Sequence, residues 1–262
     1  MINENKYSIR EKLKFFDCNC SIGRVVYPYL MDVFSVEDLI GEMDTAGIEE
    51  ALVYHTVAKD CHPFSGNQLL IDEIENFNRL YPAWVVIPHY TGEMPEPKIL
   101  LKEMKKNNVK AVWMYPSEKY HSFSISEWCS GELLFALENA RIPLLLNLDS
   151  VTWENIYKIV NNHRNLPVII TNCGYRNNRY FYPLVEKYKN LFIEISWFMG
   201  AGAVKDFVDN FGSSQLLFGT QMPGYTGTSA VSLLTYADIS ESDKKAIAGK
   251  NLKSLLKEVC YE

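Results

Sequence analysis

The chain has 262 residues, 47% hydrophobic and 22% charged, with a formal net charge of -6. That length suits one large α/β barrel, which typically needs about 250 residues, and the acidic balance without any dense Lys/Arg stretch argues against a nucleic-acid partner. No apolar run approaches the ~20 residues of a bilayer span, and the polar opening MINENKYSIREKLK lacks a signal-peptide core, so a cytoplasmic protein without a membrane partner is expected.

The chain alternates short apolar runs with amphipathic stretches, and nothing in its composition divides it into domains. The apolar runs fall at 15–19, 51–55, 84–88, 109–115, 143–148, 167–172, 191–197 and 215–219. Each is rich in Val, Ile, Leu and aromatics and is bounded by Pro, Gly or Asn, as buried parallel strands are. After the first run, Ser35 with Asp38 three residues on resembles a capping box, and Gly47 fits the helix end. Further helices are expected over 97–107, 132–140, 152–162, 182–188, 204–211 and 229–236, with a last one over 242–259 capping the barrel. No Gly-rich phosphate loop follows the first strand, which speaks against a Rossmann sheet. The expected fold is therefore α/β, a single (β/α)8 TIM barrel over residues 1–262. The cysteines at 18, 20, 61, 129, 173 and 260 are scattered and read as small hydrophobes.

In such a barrel the chemistry lies at the C-terminal strand ends. In order these carry Asp17, Asn19 and Ser21, then His55, His89, Tyr115, Asn147 with Asp149, Asn172, Glu194 with Ser196, and Gln221. Strict strand alternation would put Asp17, Asn19 and Ser21 on one face and turn Cys18 and Cys20 towards the helices.

Several of these segments resemble the amidohydrolase family. Phe16-Asp17-Cys18-Asn19-Cys20-Ser21-Ile22-Gly23 is similar to its first-strand pattern Asp-x-His-x-His-x-Gly. Pro143 to Asn147 resembles its fifth strand, and Leu166-Pro167 running to Asn172-Cys173-Gly174 its sixth. Leu216-Leu217-Phe218-Gly219-Thr220-Gln221-Met222-Pro223 resembles its eighth, and Ile247, Asn251 and Leu255 match its closing helix. The segments come in family order along nearly the whole chain. The resemblance implies a hydrolase, or a lyase, for small carboxylate-bearing, lactone or amide substrates. Carried over, the family's metal-binding histidines fall on Asn19, Ser21, Asn147 and Asn172, and its eighth-strand Asp on Gln221. Amides and a hydroxyl are poor donors for a divalent transition metal, so no metal and no other cofactor is expected.

The remaining polar residues leave alternatives open. Asp17 reads either as a general acid or base or as a backbone-bonding carboxylate, and His55 and His89 are candidates for proton transfer. Asn19, Ser21, Asn147, Asn172 and Gln221 would orient substrate. Glu194 either joins them or pairs with Arg176 or Arg179. Arg24 and Arg176 could grip a substrate carboxylate, with Tyr90, Trp113, Tyr115, Trp128, Trp197 and Tyr225 as stacking walls. His62, His121 and His163 read as structural. Two further functions stand beside a metal-free enzyme. One is a binding protein without turnover; the other is a metalloenzyme with ligands relocated to Asp17, His55 and His89. The expected partner is a small molecule, with a homodimer as the assembly.

Overall fold

A computed structural model describes residues 13–24, 33–174, 176–198 and 200–261. Residues 1–12, the greater part of the polar opening, lie outside them. A nine-stranded sheet runs β2-β1-β3-β4-β5-β6-β7-β8-β9, all parallel except the short β2. The strands are β1 Phe15–Arg24, β2 Val33–Phe34, β3 Ile48–His55, β4 Leu80–Val85, β5 Ala111–Met114, β6 Leu144–Asn147, β7 Val168–Thr171, β8 Leu191–Glu194 and β9 Leu216–Leu217. Backbone hydrogen bonds join the first and last parallel strands: Cys18 N–H to Phe218 O (3.0 Å), Gln221 N–H to Asn19 O (2.9 Å) and Ser21 N–H to Met222 O (2.9 Å). Eight parallel strands thus close into a TIM barrel, as expected.

Two apolar layers account for its stability. Inside the barrel, Phe16, Cys18, Leu52, Ala83, Val85, Ala111, Trp113, Leu145, Ile169 and Leu217 pack together. Outside it, the alternate residues Cys20, Ile22, Val53, Val112, Leu144, Leu146, Ile170 and Ile193 meet the helices. Burial on both faces is why the strands read as continuous apolar runs rather than alternating ones.

Most expected helices are present, although two begin earlier, at Glu127 rather than 132 and at Asn178 rather than 182. Helix α1, Val36–Ala46, starts at the reciprocal Ser35/Asp38 capping box and stops at Gly47, whose φ of 76° is left-handed. After β3 comes a short α2, Thr56–Asp60, and then α3, Pro63–Ile74. Neither was anticipated, although His62 caps α3 and Pro63 occupies its first turn. Strand β4 begins earlier than expected because Pro82, a residue that reads as a strand breaker, pairs with Val53 within the ladder. The final helix is broken into a segment Glu241–Lys245, a π-turn Ala246–Lys250 and a last segment Asn251–Glu258. At the π-turn the Ile247 carbonyl accepts from Phe218 N–H (3.1 Å), so the barrel takes a bond the helix would otherwise use. Leu252, Leu255 and Leu256 then pack against the inner cluster, as a barrel cap should. No helix among the described residues is long and apolar enough to cross a membrane.

Candidate functional site

At the C-terminal mouth lies a cavity of about 500 Å³ whose lining includes Asn19, Ser21, Tyr54, Lys59, Trp113, Tyr115, Asn147, Asp149, Asn172, Trp197 and Gln221. Asn19 and Ser21 reach it because β1 does not alternate strictly. A β-bulge between Asp17 and Cys20 shifts the register against β3. This corrects the expected face for two residues: Cys18 joins the barrel interior and Asp17 leaves the face of Asn19 and Ser21, while Cys20 lies in the outer layer as expected.

Asp17 is fully buried and outside the lining. Its carboxylate accepts from Thr220 Oγ1 (2.5 Å), Thr220 N–H (3.1 Å) and Asn19 N–H (2.9 Å). Burial raises its pKa, against the lowering effect of those bonds. His55 is also outside the lining. Its Nδ1 accepts from Val57 N–H (3.1 Å) as the cap of α2, and its Nε2 faces Glu73 at 3.6 Å. Burial lowers its pKa more than Glu73 raises it, which favours the neutral cap. His89 lies in a 3-10 turn, His89–Thr91, with its ring 4.4 Å from that of Tyr90, and likewise does not line the cavity. Asp17, His55 and His89 therefore do not form the relocated metal site considered above. Among the described residues, no three His, Cys, Asp or Glu side chains converge to hold a metal.

Glu194 sits fully buried beside the lining residue Asn19, whose Nδ2 donates to its Oε2 at 3.3 Å. Ser196 Oγ donates to the same oxygen (2.8 Å), and Ser196 N–H to Oε1. The expected pairing with Arg176 or Arg179 gives way to these two neighbours. Burial pushes the carboxyl up to about 7, and the nearby Asp17 adds to the rise. Arg24 at the end of β1 and Arg176 are exposed and off the lining. So are Tyr90 (65% exposed) and Trp128 (78%). His163 is structural, held between Glu138 (2.8 Å) and Glu127 (3.1 Å).

The amides at the strand ends are oriented by their neighbours. Gln221 Oε1 accepts from Trp197 Nε1–H (2.8 Å). Asn147 Oδ1 accepts from Asp149 N–H (2.8 Å) and from Asn172 Nδ2 (3.2 Å), which also donates to Asp149 Oδ2 (3.0 Å). With their oxygens occupied, Gln221 and Asn147 keep amino groups for a ligand. Asn172 keeps its oxygen: Oδ1 is buried without a hydrogen-bond partner. Asn172 and Gln221 both have positive φ, 59° and 61°, and a glutamine enters that region uncommonly.

The opposite wall comes from β3, α2 and β5. Trp113 and Tyr115 stack with centroids 5.5 Å apart, and Tyr54 packs against both. Lys59, on the unanticipated α2, places Nζ 4.9 Å from the Tyr120 ring centre and 5.4 Å from that of Tyr115. The oxygen of Tyr54 and those of Tyr120 and Asp60 hold this ammonium charged, overcoming burial. A lone lysine after the second parallel strand gave no sequence signal without α2 to place it.

No protein-family model matches the chain, and no curated protein matches it in sequence. Solved structures do. A 5-carboxyvanillate decarboxylase from Novosphingobium aromaticivorans, complexed with manganese and 4-hydroxy-3-methoxy-5-nitrobenzoic acid, superposes with a TM-score of 0.71 at 13% identity, over 94% of this chain and 96% of that one. For 2,6-dihydroxybenzoate decarboxylase from Rhizobium the TM-score is 0.70 at 12% identity, over 94% and 99%. A probable 2-pyrone-4,6-dicarboxylic acid hydrolase from Acinetobacter baumannii, with citric acid bound, gives 0.66 at 13%, over 94% and 100%. These are TIM barrels of the amidohydrolase superfamily, and their fold is the fold of this chain.

Proposed function

We propose that the protein is a hydrolase or lyase that acts, without a catalytic metal, on a small ring compound bearing a carboxylate, lactone or amide group. The observation that carries this reading is the orientation of Gln221 and Asn147, whose oxygens are occupied so that N–H donors remain for a ligand. Donors held in this way stabilise negative charge developing on an acyl or carboxyl oxygen. Asp149, held by Asn172, is the lining carboxylate that moves the proton. Trp113, Tyr115 and Trp197 supply apolar faces for the ring.

The fold neighbours support the substrate class, since their names describe decarboxylases of aromatic acids and a hydrolase of a pyrone dicarboxylic acid. Fold alone does not choose between those reactions. The metal-free part rests on donor chemistry: Asn19, Ser21, Asn147, Asn172 and Gln221 are neutral, and a divalent transition metal takes imidazole, thiolate or carboxylate.

The test is a turnover assay on hydroxybenzoates and lactone acids, run with chelator, with added manganese and with Asp149→Asn. Turnover should survive the chelator and fall by ~100-fold or more in Asp149→Asn. Activity that disappears with chelator and returns with manganese overturns the metal-free reading; undiminished activity in Asp149→Asn removes Asp149 from the chemistry. A binding protein without turnover is the second reading, favoured by the absence of Asp17, His55 and His89 from the lining. It predicts affinity in the same panel with no product.

A further inference from the structure

We infer that Lys59 anchors a non-reacting carboxylate of the ligand at the tyrosine wall, and thereby sets the specificity of the cavity. The inference deepens the function proposed above and rests on it. Three observations carry it.

First, Lys59 makes no salt bridge among the described residues, although its Nζ stands against the Tyr115 and Tyr120 rings at the cavity wall. A charge partly withdrawn from water usually has an opposite charge beside it. Aromatic faces attract an ammonium by about 0.5–2 kcal/mol but do not neutralise it. The space in front of Lys59 is the cavity itself.

Second, no lining carboxylate pairs directly with Lys59. Asp60, which follows it in sequence, acts on the ammonium through space but makes no salt bridge with it among the described residues. Lys119 lines the same wall, its Nζ 5.2 Å from the centre of the Tyr120 ring. The other lining carboxylates are Glu42 and Asp149; Asp149 is engaged with Asn172 across the mouth.

Third, the wall is built for a planar anion. Tyr54, Tyr115 and Tyr120 surround the ammonium with phenols, and the stacked Trp113–Tyr115 pair flanks it. A carboxylate there would accept from Nζ while its ring lies on aromatic faces. Schiff-base chemistry is the other common task of a cavity lysine. It requires a neutral amine, whereas this environment holds the charge.

The experiment compares two probes of one shape by calorimetric titration: 3-carbamoylbenzoate, with one carboxylate, and isophthalamide, with none. The wild-type protein should prefer the carboxylate by ~30-fold or more, a ratio equal to about 2 kcal/mol. Lys59→Met should collapse that preference to within ~3-fold, while Lys59→Arg retains most of it. The ratio is read within each variant, so a general loss of affinity or stability does not imitate the result. A preference that persists in Lys59→Met overturns the assignment of Lys59 and leaves the proposed function standing. If the wild type binds neither probe, the proposed function falls and this inference with it.

Discussion

The two sides of the barrel mouth treat buried charge in opposite ways. At the seam of β1, β8 and β9, Asp17 and Glu194 are fully buried, and Thr220, Asn19 and Ser196 answer their carboxylates from within the chain. Across the mouth, Lys59 is surrounded by tyrosine rings and makes no salt bridge among the described residues. A charge answered by its own chain orders the fold. One left facing a cavity is available to a ligand. The seam should therefore respond to mutation in stability, and the Lys59 wall in affinity.

The largest expected effect tests the seam. Asp17→Ala would remove the carboxylate that accepts from the Thr220 hydroxyl and from two interior backbone N–H groups, at a cost of about 3 kcal/mol or more. Urea unfolding measures it. Unchanged stability with lost turnover would break the comparison and return Asp17 to the acid–base role that the sequence left open.

Next comes the pH dependence of the same region. The Glu194 carboxyl is raised from 4.5 to about 7 in the folded protein. Between those values the folded form holds a proton that the unfolded chain has released. Stability is therefore greatest below about 4.5 on this group's account, falls as pH rises, and is about 3 kcal/mol lower above 7. Asp17, also raised, acts in the same sense from a lower starting point. Glu194→Gln should flatten the slope of unfolding free energy against pH over that window, whatever its effect on the absolute level. An unaltered slope would mean that Glu194 does not titrate there.

The smallest effect lies between the two regions. Trp197→Phe keeps an aromatic wall but removes the N–H that occupies Gln221 Oε1. Affinity for 3-carbamoylbenzoate should weaken roughly 3- to 10-fold, while stability changes by about 1 kcal/mol or less. Equal affinity would show that Gln221 holds its orientation without the indole.

Much of this architecture was legible in the sequence because the signals were local. Apolar runs marked the parallel strands, and Ser35, Asp38 and Gly47 bounded α1 correctly. Asn19, Ser21, Tyr115, Asn147, Asn172 and Gln221 were all selected from strand ends and all line the cavity. What was lost depended on geometry that a period of two does not encode. The bulge in β1 exchanged the surroundings expected for Asp17 and Cys18, and no spacing rule announces a bulge. His55 looked like an acid–base group but spends its Nδ1 capping α2, and the same unrecognised helix concealed Lys59.

Gly219 carries a consequence for how this barrel can change by descent. A Cβ built there would lie 2.5 Å from Glu194 Cγ, so the two positions compete for one volume. Any lineage that enlarges residue 219 must first shorten residue 194, and until then the glycine is locked by the glutamate. Drift at the seam is thus ordered in time, with the acid yielding before the glycine, and Glu194→Ala is the step that would open the path.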